Sequence, residues 1–411
     1  MFMKKLLILL LCSTYSFAQY LGTGSVTQGL ATATSGNLYS CTNGRIAALG
    51  TITATDNTVW TVPAVTNFTN NSFPFASNLY NECTGNLYAN STSALAALNG
   101  SDIVTIDPNG EVITAFIFAD NYFEMYINGV PVGKDNVPFT QFNSNIVRFK
   151  VNRPFTIAML LVDWEERLGV GCETNGGFTY HCGDGGMVAV FKDASNAIIA
   201  KTGSDWKAQT FYTAPIMNLT CPSEVGTSRL SSNCSSTDSN TGTSYYGLHW
   251  ARPTNWTQAT FDDSSWPAAS LYANATIGVD NKPAYTNFTT IFDDPTNDAQ
   301  FIWSKNVVLD NEVIVRKTVS SLSVYDFENV NSKIKIYPNP AKNQFILDYD
   351  AAIFQINKVQ IINTLGELIF ETNAISNNIT FGEIQSGMYF VKIILYFSLG
   401  IYCITSVCVN K

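Results

Sequence analysis

Histidine and charged residues are scarce in this sequence. Only two histidines, His181 and His249, occur among 411 residues, and neither lies in a spacing typical of zinc ligands. The Gly-x-Ser-x-Gly turn of serine hydrolases is absent. Charged residues make up 13% of the chain, the formal net charge is −9, and lysine and arginine do not cluster. These absences exclude most metal and catalytic-triad enzymes, and they argue against nucleic acid or an anionic membrane as partner.

The N-terminus has the pattern of a secretory signal peptide over residues 1–18. Met1–Lys5 is basic, Leu6–Leu11 is apolar, and Ser16-Phe17-Ala18 is a small-x-small cleavage site. The apolar part is too short to span a bilayer. A lipid anchor on Cys12 is the less favoured alternative, because the leucines before it are not the small residues that usually precede a lipidated cysteine.

Nine cysteines are present, but Cys12 lies in the leader and Cys403 and Cys408 lie in an unusual C-terminal segment. The remaining six are an even number in an exported chain, so we expect disulfides rather than a metal site. Sequence alone leaves their pairing open. The pairs that proximity favours are Cys41 with Cys83, Cys172 with Cys182, and Cys221 with Cys234.

The body of the chain predicts strands and loops rather than helices. Residues 19–105 form a β-rich N-terminal region without helical periodicity, and strand patterns sharpen over residues 106–325. Asn128-Gly129 between two apolar runs predicts a hairpin. Pro154–Val162 predicts a strand buried on both faces, and residues 218–244 form a polar loop. We therefore expect an all-β fold of one or two antiparallel sandwiches.

The C-terminal residues 333–411 form a small module with its own strand and turn pattern. Tyr337-Pro338-Asn339-Pro340 cannot be helical, Gly366 marks a turn, and Gly387–Lys392 begins a β-rich run. Together these features resemble the C-terminal sorting domain of type IX secretion. The resemblance implies a small immunoglobulin-like β-sandwich, the type IX machinery as partner, and a secreted or outer-membrane surface location.

The end of this module departs from that family. No charged residue falls between Lys392 and Lys411, and Ile393–Val409 is largely apolar. This run lies at the lower limit for a membrane span and contains Gly, Ser and Thr. We interpret it as an altered reading frame or sequence error rather than an anchor, so we expect no membrane span in the mature body. Whether this tail permits sorting stays open.

Two further segments carry a second resemblance. Asp120–Gly129 resembles a hairpin of galactose-binding-like jelly rolls, and Phe261–Pro267 resembles the opening of β-sandwich modules attached to bacterial glycosidases. In those modules the second segment commonly precedes the first, so either two sandwiches or one rearranged sandwich is present. The resemblance implies a jelly-roll-like fold. Our leading functional hypothesis is a non-catalytic secreted or cell-surface protein that binds an extracellular glycan or another macromolecule.

Aromatic and acidic residues near this second segment are the candidate ligand site. Exposed rings could stack on sugar faces while carboxylates accept hydroxyl hydrogens, although aromatic rings more often fill a core. Trp266 is expected in the core. Trp250 and Trp256 lie in a polar loop, which predicts that they are exposed. The candidate ligand-binding residues are Tyr245, Trp250, Trp256, Asp262 and Asp263.

A polysaccharide-cleaving enzyme is the main rival to this binding protein. Asp163, Glu165 and Glu166 follow a buried strand, where glycosidases can place an acid or nucleophile, but ordinary solvated charges collect there too. An adhesive matrix protein with long polar loops is a third possibility. We expect no cofactor beyond a structural calcium in an Asp-rich loop, and we expect His181 to shape a disulfide-closed loop rather than bind zinc.

Overall fold

The computed structural model describes residues 20–42, 44–139, 142–174, 181–236, 244–295, 298–320, 334–349, 356–373, 376–395 and 401–409. The predicted signal peptide lies outside these residues. The chain divides into two compact units, Met1–Ser321 and Leu322–Lys411. Each unit has its own hydrophobic core.

The described residues of the first unit form strands, four short α-helices and one 3-10 helix, Gly100–Asp102. Its helices are α1 Ser91–Ala96, α2 Asn274–Ile277, α3 Pro283–Thr286 and α4 Thr289–Phe292. Its strands are β1 Ser25–Gln28, β2 Thr32–Ala33, β3 Gly50–Thr53, β4 Val59–Val62, β5 Ser77–Asn81, β6 Asn86–Leu87, β7 Ile103–Thr105, β8 Glu111–Asp120, β9 Tyr122–Ile127, β10 Val130–Lys134, β11 Ser144–Val151, β12 Phe155–Val162, β13 Cys172–Glu173, β14 His181–Cys182, β15 Gly186–Lys192, β16 Ile198–Lys201, β17 Lys207–Ile216, β18 Ser223–Val225, β19 Ser228–Leu230, β20 Tyr246–His249, β21 Ser270–Tyr272, β22 Phe301–Trp303 and β23 Asp310–Val319.

Two large sheets share one hydrophobic core, which makes this unit a β-sandwich. The seven-stranded sheet has the order β1-β20-β17-β23-β12-β9-β10. The nine-stranded sheet runs β21-β22-β15-β8-β11-β5-β6, with β16 beside β15 and β7 beside β11. Strands β1, β5, β6 and β7 come from the N-terminal β-rich region and join these two sheets, whereas β2, β3 and β4 of that region form a separate three-stranded sheet.

Strand β12 shows why the seven-stranded sheet is buried on both faces. All eight of its residues are buried, as the unbroken apolar run predicts. Ile157, Met159 and Leu161 enter the core shared by the two sheets. Leu160 and Val162 point the other way, into a second core that loops and tryptophan side chains cover. The alternation follows from the two-residue period of a strand.

The hairpin predicted at Asn128-Gly129 is present between β9 and β10. Both turn residues have positive φ, 51° and 87°, which the tight hairpin turn requires and which Asn and Gly tolerate best. Ile127 lies opposite Val130 in the antiparallel register. The ladder then shifts between Pro131 and Gly133, where a bulge interrupts it.

Two of the three predicted disulfides are confirmed, Cys41–Cys83 and Cys221–Cys234. Cys172 lies directly opposite Cys182 in the two-stranded ladder of β13 and β14. The third disulfide stays a prediction.

The second unit is a small antiparallel β-sandwich, as the sorting-domain resemblance implies. Its sheets have the orders β24-β25-β28 and β27-β26-β29-β30. Gly366, with a φ of 87°, forms the predicted turn between β26 and β27. Tyr337 ends the first strand, and the uncharged C-terminal run supplies the last, which pairs with β29 over nine residues. The strands are β24 Lys335–Tyr337, β25 Gln344–Asp348, β26 Ile356–Asn363, β27 Leu368–Thr372, β28 Asn378–Thr380, β29 Gly387–Leu395 and β30 Ile401–Val409.

Candidate functional site

A cavity of about 180 Å³ in the first unit collects polar side chains from loops far apart in the sequence. We call it the acidic pocket. Strand ends and the loops after them supply its walls: the end of β8, the ends of β13 and β14, the β10–β11 loop and the loop before β3. The lining residues are Arg45, Ala119, Asp120, Asn121, Val137, Phe142, Asn143, Glu173, Gly183 and Asp184.

The ends of two strands from different sheets meet beside this cavity. Asp120 ends β8, and the backbone N–H of Asn121 donates to the carbonyl of Val162 at 3.2 Å. The Asn121 side chain accepts a hydrogen bond from the backbone N–H of Trp164 at 2.6 Å. Asp163 is the residue between Val162, which ends β12, and Trp164. The ends of β8 and β12 therefore bring the carboxyl groups of Asp120 and Asp163 to the same place.

Asp163 lies behind the glycine wall of the pocket. A Cβ added to Gly183 would stand 3.1 Å from both carboxylate oxygens of Asp163 and 3.3 Å from Oε1 of Glu173. The carboxylate oxygens of Asp163 and Oε1 of Glu173 are therefore no further apart than the sum of their distances from that Cβ position. Only 4% of Asp163 is exposed, and its Oδ1 has no hydrogen-bond partner among the described residues.

Glu173 contacts two basic side chains, Arg45 and His181. Its Oε2 forms an ion pair with Arg45 and lies 3.1 Å from Nε2 of His181. The described residues contain no such ion pair for Asp120, Asp163 or Asp184. His181 therefore contacts a carboxylate instead of completing a metal site.

Burial and mutual repulsion disfavour negative charge on these three aspartates. Burial, followed by the charges of Asp184 and Glu173, raises the pKa of Asp120 well above its ordinary range. Burial, followed by Glu173 and Asp120, does the same to the pKa of Asp163. The pKa of Asp184 rises to about 6, for burial first and then the charge of Glu173. These carboxyl groups therefore keep their protons to a higher pH than ordinary aspartates do.

The opposite wall contains a buried amide and carboxyl pair. Asn143 donates to Oδ1 of Asp135 at 2.7 Å, and the backbone N–H of Val137 donates to the same oxygen at 2.9 Å. Burial raises the pKa of Asp135 to about 7 despite these hydrogen bonds. This pair fixes the orientation of Asn143 at the cavity.

The three carboxylates of the predicted enzyme alternative do not form one site. Asp163 lies behind Gly183 of the acidic pocket, but Glu165 is buried against the backbone N–H groups of Gly169 and Gly171 and the hydroxyl of Tyr212. Burial raises the pKa of Glu165 to about 7. Glu166 accepts hydrogen bonds from Thr174, and so Glu165 and Glu166 hold loops in place.

The predicted exposure of Trp250 and Trp256 is wrong. Each has only 7% of its surface exposed, within the second core. The Trp250 ring N–H donates to Glu224 at 3.0 Å, and the Trp256 ring packs edge-on against Tyr126. Neither ring can stack on a sugar, because protein covers it. Trp266 lies in the same core, as predicted.

The other predicted ligand residues are Tyr245, Asp262 and Asp263, and each has a different local environment. Tyr245 is half-buried and its backbone carbonyl accepts a hydrogen bond from Gly29. Asp262 is exposed and accepts from the N–H of Ser264 at 2.9 Å. Asp263 forms an ion pair with the buried Arg316 at 2.7 Å. None of the five predicted ligand residues lines the acidic pocket.

Metal and membrane features are also limited in the described part of the chain. Its His, Cys, Asp and Glu side chains form no group of three or more arranged to hold a metal ion. The structural calcium stays a prediction. No described helix is both long and apolar enough to cross a bilayer.

The sequence alone does not predict most of the acidic pocket. Asp120 follows a buried apolar run and Asp184 lies in a glycine-rich stretch, which are the local signals for them. Arg45 and Glu173 carry no local signal. Their position depends on loops that close over the ends of the strands.

Comparison with known proteins confirms the C-terminal module. Residues 335–395 match the family model described as the secretion system C-terminal sorting domain. The match ends at Leu395 and so includes the first three residues of the uncharged run. No curated protein sequence matches the chain.

Solved structures give only weak similarity. PorZ, a surface component of the type IX secretion system of Porphyromonas gingivalis, is 16% identical with a TM-score of 0.16; the alignment covers 27% of this chain and 15% of that one. A Pleurotus ostreatus lectin is 14% identical with a TM-score of 0.15 over 74% and 73% of the chains. Latent PorU of P. gingivalis is 11% identical with a TM-score of 0.16 over 95% and 34%.

These TM-scores are too low to establish a shared fold. This chain spans less than a sixth of the length of PorZ. The family match is the informative comparison. The chain carries a type IX secretion sorting domain at residues 335–395, which indicates export to the cell surface or the extracellular space.

Proposed function

We propose that this protein is an exported β-sandwich that binds an extracellular glycan in the acidic pocket without cleaving it. The observation that supports this proposal is that hydrogen-bond donors and acceptors line the same cavity. Arg45 donates, the carboxyl oxygens of Asp120 and Asp184 accept, and the amides of Asn121 and Asn143 do both. Sugar hydroxyls both donate and accept, so they match such a lining.

The size of the cavity limits what enters it. Its volume of about 180 Å³ is below the roughly 300–1,000 Å³ of pockets that enclose drug-sized ligands. The pocket therefore takes one sugar unit or a chain end, while the rest of the glycan stays outside. The resemblance of Asp120–Gly129 to galactose-binding-like modules is in keeping with this role.

The test is glycan binding by the full chain on an array, followed by titration calorimetry with the best glycan. Asp184→Ala is the informative variant, because Asp184 makes no hydrogen bond or ion pair with a described residue and its loss leaves the fold intact. We expect at least a tenfold weaker affinity. Asp262→Ala is the matched control, since Asp262 is an exposed aspartate of the loop that sequence reasoning favoured.

Three results would overturn the proposal. One is the absence of binding to any glycan. Another is undiminished affinity of Asp184→Ala. The third is loss of affinity in Asp262→Ala alone, which would move the site to the Phe261–Pro267 loop.

Glycan hydrolysis is the second candidate function. Asp184 has a pKa raised to about 6 beside Glu173, and a carboxyl that keeps its proton near neutral pH is the form that a glycosidase uses as general acid. Release of reducing ends from the bound glycan, abolished in Asp184→Asn, would establish hydrolysis. Binding without turnover favours the first proposal.

A further inference from the structure

The charges around the acidic pocket are unbalanced. Three carboxylates line the cavity, and Asp163 stands directly behind its glycine wall. Arg45 and His181 both contact one of them, Glu173. Lys282 acts on Asp120 from a distance, with its Nζ 4.6 Å from the centre of the Phe142 ring. Within the described part of the chain, no cation contacts Asp120, Asp163 or Asp184.

Asp163 gives independent information about the missing partner. A carboxylate that is 96% buried is costly unless hydrogen bonds or an opposite charge compensate it. Its Oδ1 has no hydrogen-bond partner among the described residues, and both oxygens lie against the wall that Gly183 leaves without a side chain. A donor that enters the pocket at Gly183 would be near Asp163 and Glu173 together.

Different donors compensate this site to different extents. A neutral hydroxyl gives one hydrogen and leaves the negative charge in place. A metal ion needs a set of ligands in a defined arrangement, and no described group of His, Cys, Asp or Glu offers one. A primary ammonium has three N–H donors and one positive charge, so it can contact two carboxylates at once without strict geometry.

We infer that the acidic pocket binds a primary ammonium group, and hence that the glycan ligand contains an amino sugar whose nitrogen is not acetylated. This inference rests on the proposed function and makes it narrower. The ammonium lies at the Gly183 wall, near Asp163 and Glu173, in the cavity that Asp120 and Asp184 also line. Arg45 remains paired with Glu173 and available to a ring hydroxyl.

The pH dependence follows from the groups that face this position. Asp184 has a pKa of about 6, so it loses its charge as the pH falls through that value. The pKa values of Asp120 and Asp163 are also raised above the ordinary range. The positive charges of Arg45 and Lys282 lower the pKa of Asp120 and repel an ammonium, whereas the negative charge of Glu165 raises the pKa of Asp163. We therefore expect ammonium affinity to decrease as the pH falls from about 7 to 5.

The experiment compares two oligosaccharides of equal length, a tetramer of glucosamine and a tetramer of N-acetylglucosamine. Titration calorimetry with the full chain at pH 7 should give at least tenfold tighter binding to the free amine. Asp184→Asn keeps the shape but removes the charge, and it should abolish this preference. Asp262→Asn, an exposed control, should keep it.

A second variant checks the glycine wall. Gly183→Ala places a methyl group against Asp163 and Glu173, so it should weaken binding of the free-amine tetramer at least tenfold, with folding verified by thermal unfolding. Equal affinity for both tetramers, or a preference for the acetylated one, would overturn the inference while the proposed function stands. Binding to no glycan at all would overturn both.

Discussion

At the scale of single residues, Arg316 shows how one buried charge organises a loop. Its guanidinium pairs with Asp263 and donates to the backbone carbonyls of Trp256, Gln258 and Phe261, although only 1% of the residue is exposed. These bonds hold the loop that covers the second core. The conspicuous Phe261–Pro267 sequence therefore has a structural explanation.

Replacement of Arg316 by methionine should destabilise the first unit by roughly 3 kcal/mol, because it leaves buried carbonyls and Asp263 without their donor. The measurement is urea unfolding followed by fluorescence. Lys317→Met is the matched control one residue further along the same strand. Lys317 pairs with Asp205 at the surface, so its loss should cost less than about 1 kcal/mol. Equal costs for both variants would contradict this explanation.

Asp310 should make the first unit less stable as the pH rises. Burial raises its pKa to about 6, against hydrogen bonds from hydroxyls that include those of Thr210, Thr213 and Ser304. The folded state keeps a proton that the unfolded state releases above about pH 4. This contribution to stability is complete below pH 4 and is lost as the pH rises through 6, by roughly 3 kcal/mol.

Asp310→Asn stays uncharged and should remove this pH dependence. Urea unfolding at pH 4 and pH 7 checks it, because the variant should gain stability relative to the natural protein between the two values. Asp262→Asn is the control, since hydrogen bonds from Ser264 lower the pKa of that exposed residue. An unchanged pH profile in Asp310→Asn would show that Asp310 is charged in the fold.

Sequence reasoning is least reliable for the direction in which a single side chain points. Trp250 and Trp256 lie in a stretch with proline and asparagine, which predicts exposure, but loops from elsewhere in the chain cover both rings. A covering loop leaves no trace in the local pattern. Trp266 was placed correctly because aromatic rings usually fill cores.

At the scale of elements, local patterns predict strands well and cavities poorly. The Asn128-Gly129 hairpin and the doubly buried strand β12 are both present, because each depends on a few neighbouring residues. The acidic pocket depends on Arg45, Asp120 and Glu173, which only the completed fold brings together. No local period or spacing links them.

The two confirmed disulfides should differ in their contribution to stability. Cys41–Cys83 closes a segment of 42 residues and Cys221–Cys234 one of 13. The chain-entropy estimate gives about 4 kcal/mol for the longer loop and about 3 kcal/mol for the shorter. Paired serine substitutions, measured by urea unfolding, should follow this order, and the reverse order would show that native contacts dominate.

A non-reducing peptide map also tests the remaining predicted pair. It should recover Cys41 linked to Cys83 and Cys221 linked to Cys234. A linked peptide that contains Cys172 and Cys182 would confirm the third disulfide, and alkylation of both thiols without reduction would reject it.

At the scale of the whole molecule, two compact units divide the chain near residue 321. Residues 20–321 should therefore unfold in one cooperative transition when expressed without the sorting domain. Residues 20–305 lack β23, whose neighbours are β17 and β12 and whose Val313, Ile314 and Val315 are fully buried. This shorter chain should show no cooperative transition in urea. A cooperative transition would mean that β23 is dispensable.

The position of β23 has a consequence for incomplete chains. It is the last strand of the sandwich to be synthesised, yet it lies at the centre of the seven-stranded sheet. Until it inserts, β12 and β17 expose unpaired edges and apolar side chains, which favour aggregation and proteolysis. A chain that ends before residue 310 lacks β23, so these edges stay uncovered. The cell can therefore recognise truncated copies as unfolded before they reach the cell surface.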